Sequence, residues 1–228
     1  MIPVDAPYAP WVLGTVLVVL LALLTWRAIR KDRLEFQKFK RFHSTERRQE
    51  MFRKWVLQSL GWFGGASLVV LVLVWQFIPR MLAQVETWPA MAAFRSLLAS
   101  SDLAAGLIVG GAIGLFFGII AVVFLGRNAT EVPTIGDIHA LLPLNRAELK
   151  FGWALSVNAG FVEELLFRLA MPVLIFAIFD NAAIAISVSL VVFGMLHAYQ
   201  GVGGVIGSFL IGVILMAVFL ATGNIVWP

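Results

Sequence analysis

FGWALSVNAGFVEELLFRLAMPVLIFAIF, residues 151–179, is an apolar run of membrane-spanning length with three charges set inside it, and AAIAISVSLVVFGMLHA, residues 182–198, follows directly after Asp180-Asn181. A helix needs about 20 mostly apolar residues to cross the hydrocarbon core of a bilayer. The two runs therefore read as a membrane hairpin with Asp180-Asn181 at its tip. Outward from the hairpin, further apolar runs are centred on roughly 9–26, 55–78, 103–125 and 202–221. The composition agrees, with 61% of the 228 residues hydrophobic, 13% charged and a mean hydropathy of +0.93. Soluble domains carry about 45–50% apolar and about 25% charged residues, so an ordinary soluble domain, disorder, coiled coil and collagen are all excluded. The absence of cysteine removes disulfides, thiolate zinc sites and cysteine nucleophiles. The expectation is an all-α polytopic transmembrane helical bundle of about six spans, with residues 1–228 forming a single membrane domain.

Charge sets the orientation. Residues 27–54 hold 11 Lys/Arg against 4 Asp/Glu, a net +7 in a chain whose total is +4. This concentration makes one basic loop, not a nucleic-acid surface, and the positive-inside rule puts that loop in the cytoplasm. The N-terminus is then outside, 79–102 outside, 126–150 inside, and the hairpin tip outside. Trp11, Trp26, Trp55, Trp75 and Trp227 lie at or near the ends of the apolar runs, where amphipathic rings prefer to sit. The first run lacks a basic region before it, so it reads as an uncleaved span. The Asn128-Ala-Thr130 sequon falls on the cytoplasmic side and is discounted. These features describe an integral multi-pass protein of the plasma (cytoplasmic) membrane, with lipid as its first partner.

Within the basic loop, Ile29, Phe36, Phe39 and Phe42 are spaced for one helical face, with Arg30, Lys31, Lys38, Lys40 and Arg41 among them. Two readings stay open: an interfacial helix on anionic lipid, or an extension of the first span whose aromatics pack on neighbouring helices. Gly106, Gly110, Gly114 and Gly118 form a ladder along one face of the third run, and Gly203 and Gly207 a weaker one in the last. Small residues at this spacing let helix backbones approach closely; intramolecular packing is favoured over a dimer seam or a substrate groove.

Most ionisable residues lie in loops. The exceptions are Glu163, Glu164, Arg168 and His197, and ionisable groups at such depth are functional candidates. Glu164 and Arg168 are four residues apart and can pair on one helix face. Glu163 lies about 100° around the helix from Glu164 and faces elsewhere. Glu163 and His197 are both about 17 residues from the hairpin tip, which gives them equal depth, about 25 Å at 1.5 Å per residue. Pro172 can kink the first of these helices and alter the rotation. A buried carboxylate beside an imidazole can deprotonate a water or relay a proton in a transporter. The bland alternative is a satisfied polar network that fixes helix packing.

Glu163-Glu164-Leu165-Leu166-Phe167-Arg168 and Phe193-Gly194-Met195-Leu196-His197 resemble the Glu-Glu-x-x-x-Arg and Phe-x-x-x-His motifs of the CPBP family. This family comprises CAAX-type prenyl endopeptidases and bacteriocin-processing or immunity proteins. Leu141-Leu142-Pro143, Asn145 through Lys150, and Ala159 through Val162 are also family-like, so the resemblance covers a catalytic core at about 140–221. It implies a glutamate-type intramembrane endopeptidase, in which Glu163 and His197 activate the hydrolytic water, Glu164 and Arg168 form a supporting ion pair, and Phe193 packs the motif. Its substrate would be a membrane-associated peptide or protein. One His with two carboxylates matches the common catalytic zinc sets poorly, and His43 and His139 read as solvated loop residues, so neither metal nor cofactor is expected. The family usually adds a His-x-x-x-Asn or His-x-x-x-Asp motif on a further helix, thought to stabilise the oxyanion. Here Asn224 is preceded at that spacing by Leu220, and that helix is read as absent before Pro228. This leaves either a truncated product of a longer reading frame, which the apolar Trp227-Pro228 ending favours, or an incomplete site.

A non-proteolytic membrane scaffold or immunity protein of the same fold is the alternative function. A proton-coupled transporter ranks third, because no pair of discontinuous helices in matching halves supports it. The orientation is open to direct measurement. A reporter fused after residue 45 is expected to read cytoplasmic and one fused after residue 90 external; the reverse pattern overturns the assignment of sides.

Overall fold

In a computed structural model, residues 6–99 and 139–225 are described. They contain helices and no strand. Helix α1 runs Ala9–Phe39 and α2 runs Thr45–Glu86; α3 is Pro89–Ala99. Helix α4 covers 146–179 and joins Arg146–Glu164 to Met171–Phe179 through a π-helical turn, Leu165–Ala170. Helix α5 is Ala182–Leu196, and a 3₁₀ turn, His197–Gln200, leads into α6, Gly201–Thr222. The described residues form two compact units, one of residues 6–85 with 139–225 and one of residues 86–99. The second contains α3, where Arg95 pairs with Glu86 at 3.1 Å. The run at 103–125 with its glycine ladder, the Asn128 sequon and Trp227 lie outside the described residues.

The five other apolar runs are all helical. Three continuous helical stretches, Ala9–Phe39, Thr45–Glu86 and Ala182–Thr222, are long and apolar enough to cross a membrane. Val18, Val19, Leu68, Val69, Ile206 and Ile214 are exposed on their outer faces, as expected where lipid replaces water as the solvent. The hairpin turns at Asp180, the one non-glycine residue with positive φ among the described residues (48°). Aspartate tolerates this left-handed conformation better than most residues. Asn181 then caps α5, its Oδ1 accepting from Ile184 N at 3.0 Å. Gln84 bridges the tip by donating to Asp180 O and accepting from Ala182 N.

The second apolar stretch of this hairpin does not run straight into α6. Gly201, at φ 81°, adopts a conformation that costs glycine little, and α6 folds back against α5. Gly212 makes their close approach possible: a Cβ there would come within 2.9 Å of the Phe193 ring. The close-packed glycines differ from the expected ladder. Gly204 and Gly212 are buried, whereas Gly203 is exposed, because the face of α6 turned to α5 is rotated from the one marked by Gly203 and Gly207.

The basic segment is an extension of the first span. Helix α1 continues through a π turn to Phe39, and Phe36 and Phe39 are buried while Ile29 is exposed. Phe39 packs on Phe52 and Trp55 with ring centroids 5.1 and 4.8 Å away. Glu35 accepts from Lys54 at 2.7 Å and from Trp55 at 2.8 Å, tying α1 to α2.

A buried ion pair joins α2 to the start of α4. Arg48 Nε lies 3.0 Å from Glu148 Oε2, both side chains being almost wholly enclosed. The guanidinium stacks over Phe39 at 4.4 Å and donates from Nη2 to the Ala140 and Leu142 carbonyls, each at 3.0 Å. Glu148 also accepts from Leu144 N at 3.1 Å, and Asn145 Oδ1 caps the helix by accepting from Glu148 N at 3.2 Å. This is a reciprocal cap of the kind that fixes a helix start. Burial pushes the Glu148 carboxyl up, but the Leu144 amide and Arg48 together hold it below its ordinary value of 4.5.

Breaking a buried pair by removing one partner costs about 3–5 kcal/mol. Arg48→Leu is therefore expected to lower thermal stability in detergent sharply, and Arg48→Leu/Glu148→Leu to lower it by less than the sum of the single changes. A carboxyl with a depressed folded pKa contributes stability above its unfolded pKa and loses it as pH falls through the folded pKa. The wild type should accordingly lose stability in acid below about pH 4.5, by an increment missing from Glu148→Gln. Additive losses, or identical acid profiles, refute the pair.

Candidate active site

The π turn in α4 has a local cause. Met171 N reaches back five residues to Leu166 O, and Pro172, next in the chain, has no N–H to donate. The skipped Phe167 carbonyl accepts instead from the Ser189 hydroxyl of α5 at 2.7 Å, in a buried contact. The wider turn thus locks α4 to α5 at the level of the charged motif and sets the direction of each charged side chain.

Glu164 and Arg168 pair as expected, with Nε–Oε2 at 3.3 Å. Their alignment is too poor for a hydrogen bond, so the contact is electrostatic. Arg168 is 1% exposed and lies over the Phe193 ring at 4.5 Å. Phe193 in turn touches Phe167 at 5.2 Å and the edge of His197 at 4.9 Å. The motif phenylalanine therefore sits between the guanidinium and the imidazole.

Glu163 faces elsewhere. It and His197 line one cavity of about 670 Å³. Glu163 forms no hydrogen bond or ion pair among the described residues; it feels Arg168 and Glu164 only through their longer-range fields. His197 Nδ1 lies 2.9 Å from the Phe193 carbonyl. Donation to that carbonyl places the proton on Nδ1 and leaves Nε2 with its lone pair. A carboxylate and a basic ring nitrogen on one cavity can together hold and deprotonate a water. The walls are largely apolar, with Phe36, Phe63 and Trp153 among them. No three His, Asp or Glu side chains converge as a metal-ligand set among the described residues. His43 and His139 are exposed, and neither lines the cavity.

Arg27, Asp32, Tyr199 and Gln200 also line this space, together with Ser59 and Ser156. Sequence reasoning had assigned Arg27 and Asp32 only to a basic loop. They pair at 3.2 Å although five residues apart, a spacing that points side chains well apart on an α-helix. Arg27–Asp32 is itself a π turn, in which backbone bonds join residues five apart. Arg27 is buried, stacks over Phe63 at 4.7 Å and reaches Gln58 O at 3.5 Å. Nothing in the residue pattern signals a π turn; the one clue in the sequence is an arginine directly at the end of an apolar run.

Residues 145–228 match a family model described as type II CAAX prenyl endopeptidase Rce1-like. The matched segment contains the Glu163–Arg168 and Phe193–His197 motifs. No curated protein and no solved structure matches the chain significantly. The described family is one of proteases, which brings the helical, membrane-spanning architecture and the motif resemblance to one conclusion. Residues 145–228 of this helical, membrane-spanning chain are thus similar to CAAX prenyl endopeptidases of the Rce1-like type, consistent with the CPBP family.

Proposed function

We propose that the chain is a glutamate-type intramembrane endopeptidase that hydrolyses a peptide bond in a membrane-associated protein or peptide. The observation that carries this reading is the division of labour between adjacent glutamates. Glu164 is turned to Arg168, whereas Glu163 opens without a bonded partner into the cavity it shares with His197. In the proposed reaction, a water held by Glu163 and His197 Nε2 attacks the scissile carbonyl carbon. A C–O bond forms, the carbonyl π pair moves to oxygen, and Glu163 takes the water proton. Collapse of the tetrahedral intermediate breaks the C–N bond, and the proton passes from Glu163 to the leaving amine. The site is assigned to the cytoplasmic half of the bilayer, with the N-terminus outside and 27–54 cytoplasmic. Prenylated C-termini, peptide pheromones, bacteriocin precursors and C-terminal sorting signals are the substrate classes that fit this assignment.

Glu163→Gln keeps shape and hydrogen bonding but removes the proton acceptor. Expressed in its native reading frame and offered a prenylated CAAX-type peptide in proteoliposomes, this variant is expected to lose a factor of about 10²–10⁴ in cleavage with thermal stability nearly unchanged. His197→Ala should be similarly inactive, and the double variant hardly worse than either, since groups acting as a unit are non-additive. Wild-type processing by Glu163→Gln sinks the assignment. An inactive wild type whose cellular phenotype survives Glu163→Gln points instead to a scaffold.

A further inference from the structure

Cleavage by activated water needs a hydrogen-bond donor aimed at the developing oxyanion as well as a base. The cavity contains a donor that the Glu163–His197 chemistry does not use. Tyr199 and Gln200 lie on the His197–Gln200 turn and line the same cavity. Gln200 Nε2 donates to the Tyr199 hydroxyl at 2.8 Å. The hydroxyl oxygen is thus occupied as an acceptor, and its own proton has no acceptor among the described residues. The ring is fixed from two directions, edge-on to Phe36 at 5.4 Å and stacked on His197 at 6.2 Å with 26° between the planes. Tyr199 lines the same cavity as Glu163, Asp32 and His197, the space in which the water would react. Arg27, the cation of the cavity, is a weaker candidate because its guanidinium already faces Asp32 and Gln58 O.

We propose that Tyr199 is a catalytic residue, whose hydroxyl donates a hydrogen bond to the scissile carbonyl oxygen as that oxygen becomes an anion, with Gln200 positioning the phenol. This rests on the protease reading above. As water adds to the carbonyl carbon, negative charge collects on the oxygen and the Tyr199 O–H···O⁻ bond shortens and strengthens. The proton stays on the phenol throughout. When the C–N bond breaks, the carbonyl reforms and the bond relaxes. A donor approaching from the turn that carries His197 moves with the imidazole, so the oxyanion donor and the ring that helps hold the water are fixed by one short backbone element.

Tyr199→Phe removes only the hydroxyl and keeps the ring contacts with Phe36 and His197. With a fluorogenic farnesylated CAAX-type peptide, the variant is expected to lose a factor of about 10²–10³ in kcat while KM stays unchanged, since the bond matures only in the transition state. A peptide phosphinate, tetrahedral and anionic at the scissile position, provides a measurement that needs no turnover. Its affinity for Tyr199→Phe should fall by a similar factor, while a non-cleavable ground-state peptide binds both proteins equally. Wild-type kcat in Tyr199→Phe with Glu163→Gln silent overturns the role of Tyr199 alone. A raised KM with kcat retained, or equal phosphinate affinity in the two proteins, also overturns it. Wild-type cleavage by Glu163→Gln overturns the protease reading and this inference with it.

Discussion

A guanidinium enclosed among apolar helices costs several kcal/mol unless its charge is met where it lies. Arg168, 1% exposed, meets that demand from two sides, by Glu164 at 3.3 Å and by the Phe193 face at 4.5 Å. The first contact assigns one of two neighbouring glutamates to structure and leaves the other free. The second fixes Phe193, whose carbonyl orients His197 and whose ring requires glycine at position 212 in α6. Three helices are thereby set by one charge. A cation over a desolvated ring is worth about 2 kcal/mol, enough to choose between packings but too little to offset burial alone. The carboxylate and the ring are both needed, which accounts for glutamate, arginine and phenylalanine appearing together on facing helices.

The cavity is bounded by helices that depart from α-geometry. The π turns Arg27–Asp32, Leu60–Gly64 and Leu165–Ala170 contribute Arg27 and Asp32, Phe63, and Phe167 to its walls. A π turn widens the helix and leaves a carbonyl without its usual partner, and such turns occur frequently at functional sites. Here the freed Phe167 carbonyl is met by Ser189, so the distortion is stabilised from the neighbouring helix. In α2 a different irregularity has a comparable cause: a 3₁₀ turn at Trp75–Phe77 directly precedes Ile78-Pro79, where the helix again lacks an N–H donor. Helices without these interruptions would present regular ridges to one another and leave less room between them.

Much of this architecture was legible in the residues. Apolar runs of the right length, the Asp180-Asn181 tip and the four-residue spacing of Glu164 and Arg168 follow from helix geometry alone. Equal distance from the tip brought Glu163 and His197 to one depth, and one cavity includes both. Three features were not legible, each for its own reason. The Arg48–Glu148 pair joins residues 100 apart in sequence, and no periodicity relates them. Arg27 and Asp32 face each other only because the backbone adopts a π turn. Tyr199 lies beyond the recognised motif, on a 3₁₀ turn whose direction depends on Gly201 at positive φ. The glycine pattern of the last helix was recognised as packing but offset by one residue, because the turn at 197–201 rotates α6.

The acidic groups of the described core differ in what surrounds them, and that difference separates structure from chemistry. Glu148 has Arg48 and the Leu144 amide, Glu35 has Lys54 and Trp55, Asp32 has Arg27, and Glu164 has Arg168. Each is held in one geometry by a partner, so none is free to take up a proton without losing that contact. Glu163 alone of these meets only the cavity and a distant field. An uncompensated carboxylate in an apolar wall is a cost that folding does not require, since a leucine there would bury without penalty. In the proposed reaction that cost is offset by the water the carboxylate would bind, and apolar walls would favour the step: they hold few competing donors, keep the local dielectric low and strengthen the field that acts on the water. The same low dielectric raises the worth of any hydrogen-bond donor that lines the cavity, and so, in the proposed reaction, of a phenol on the His197 turn.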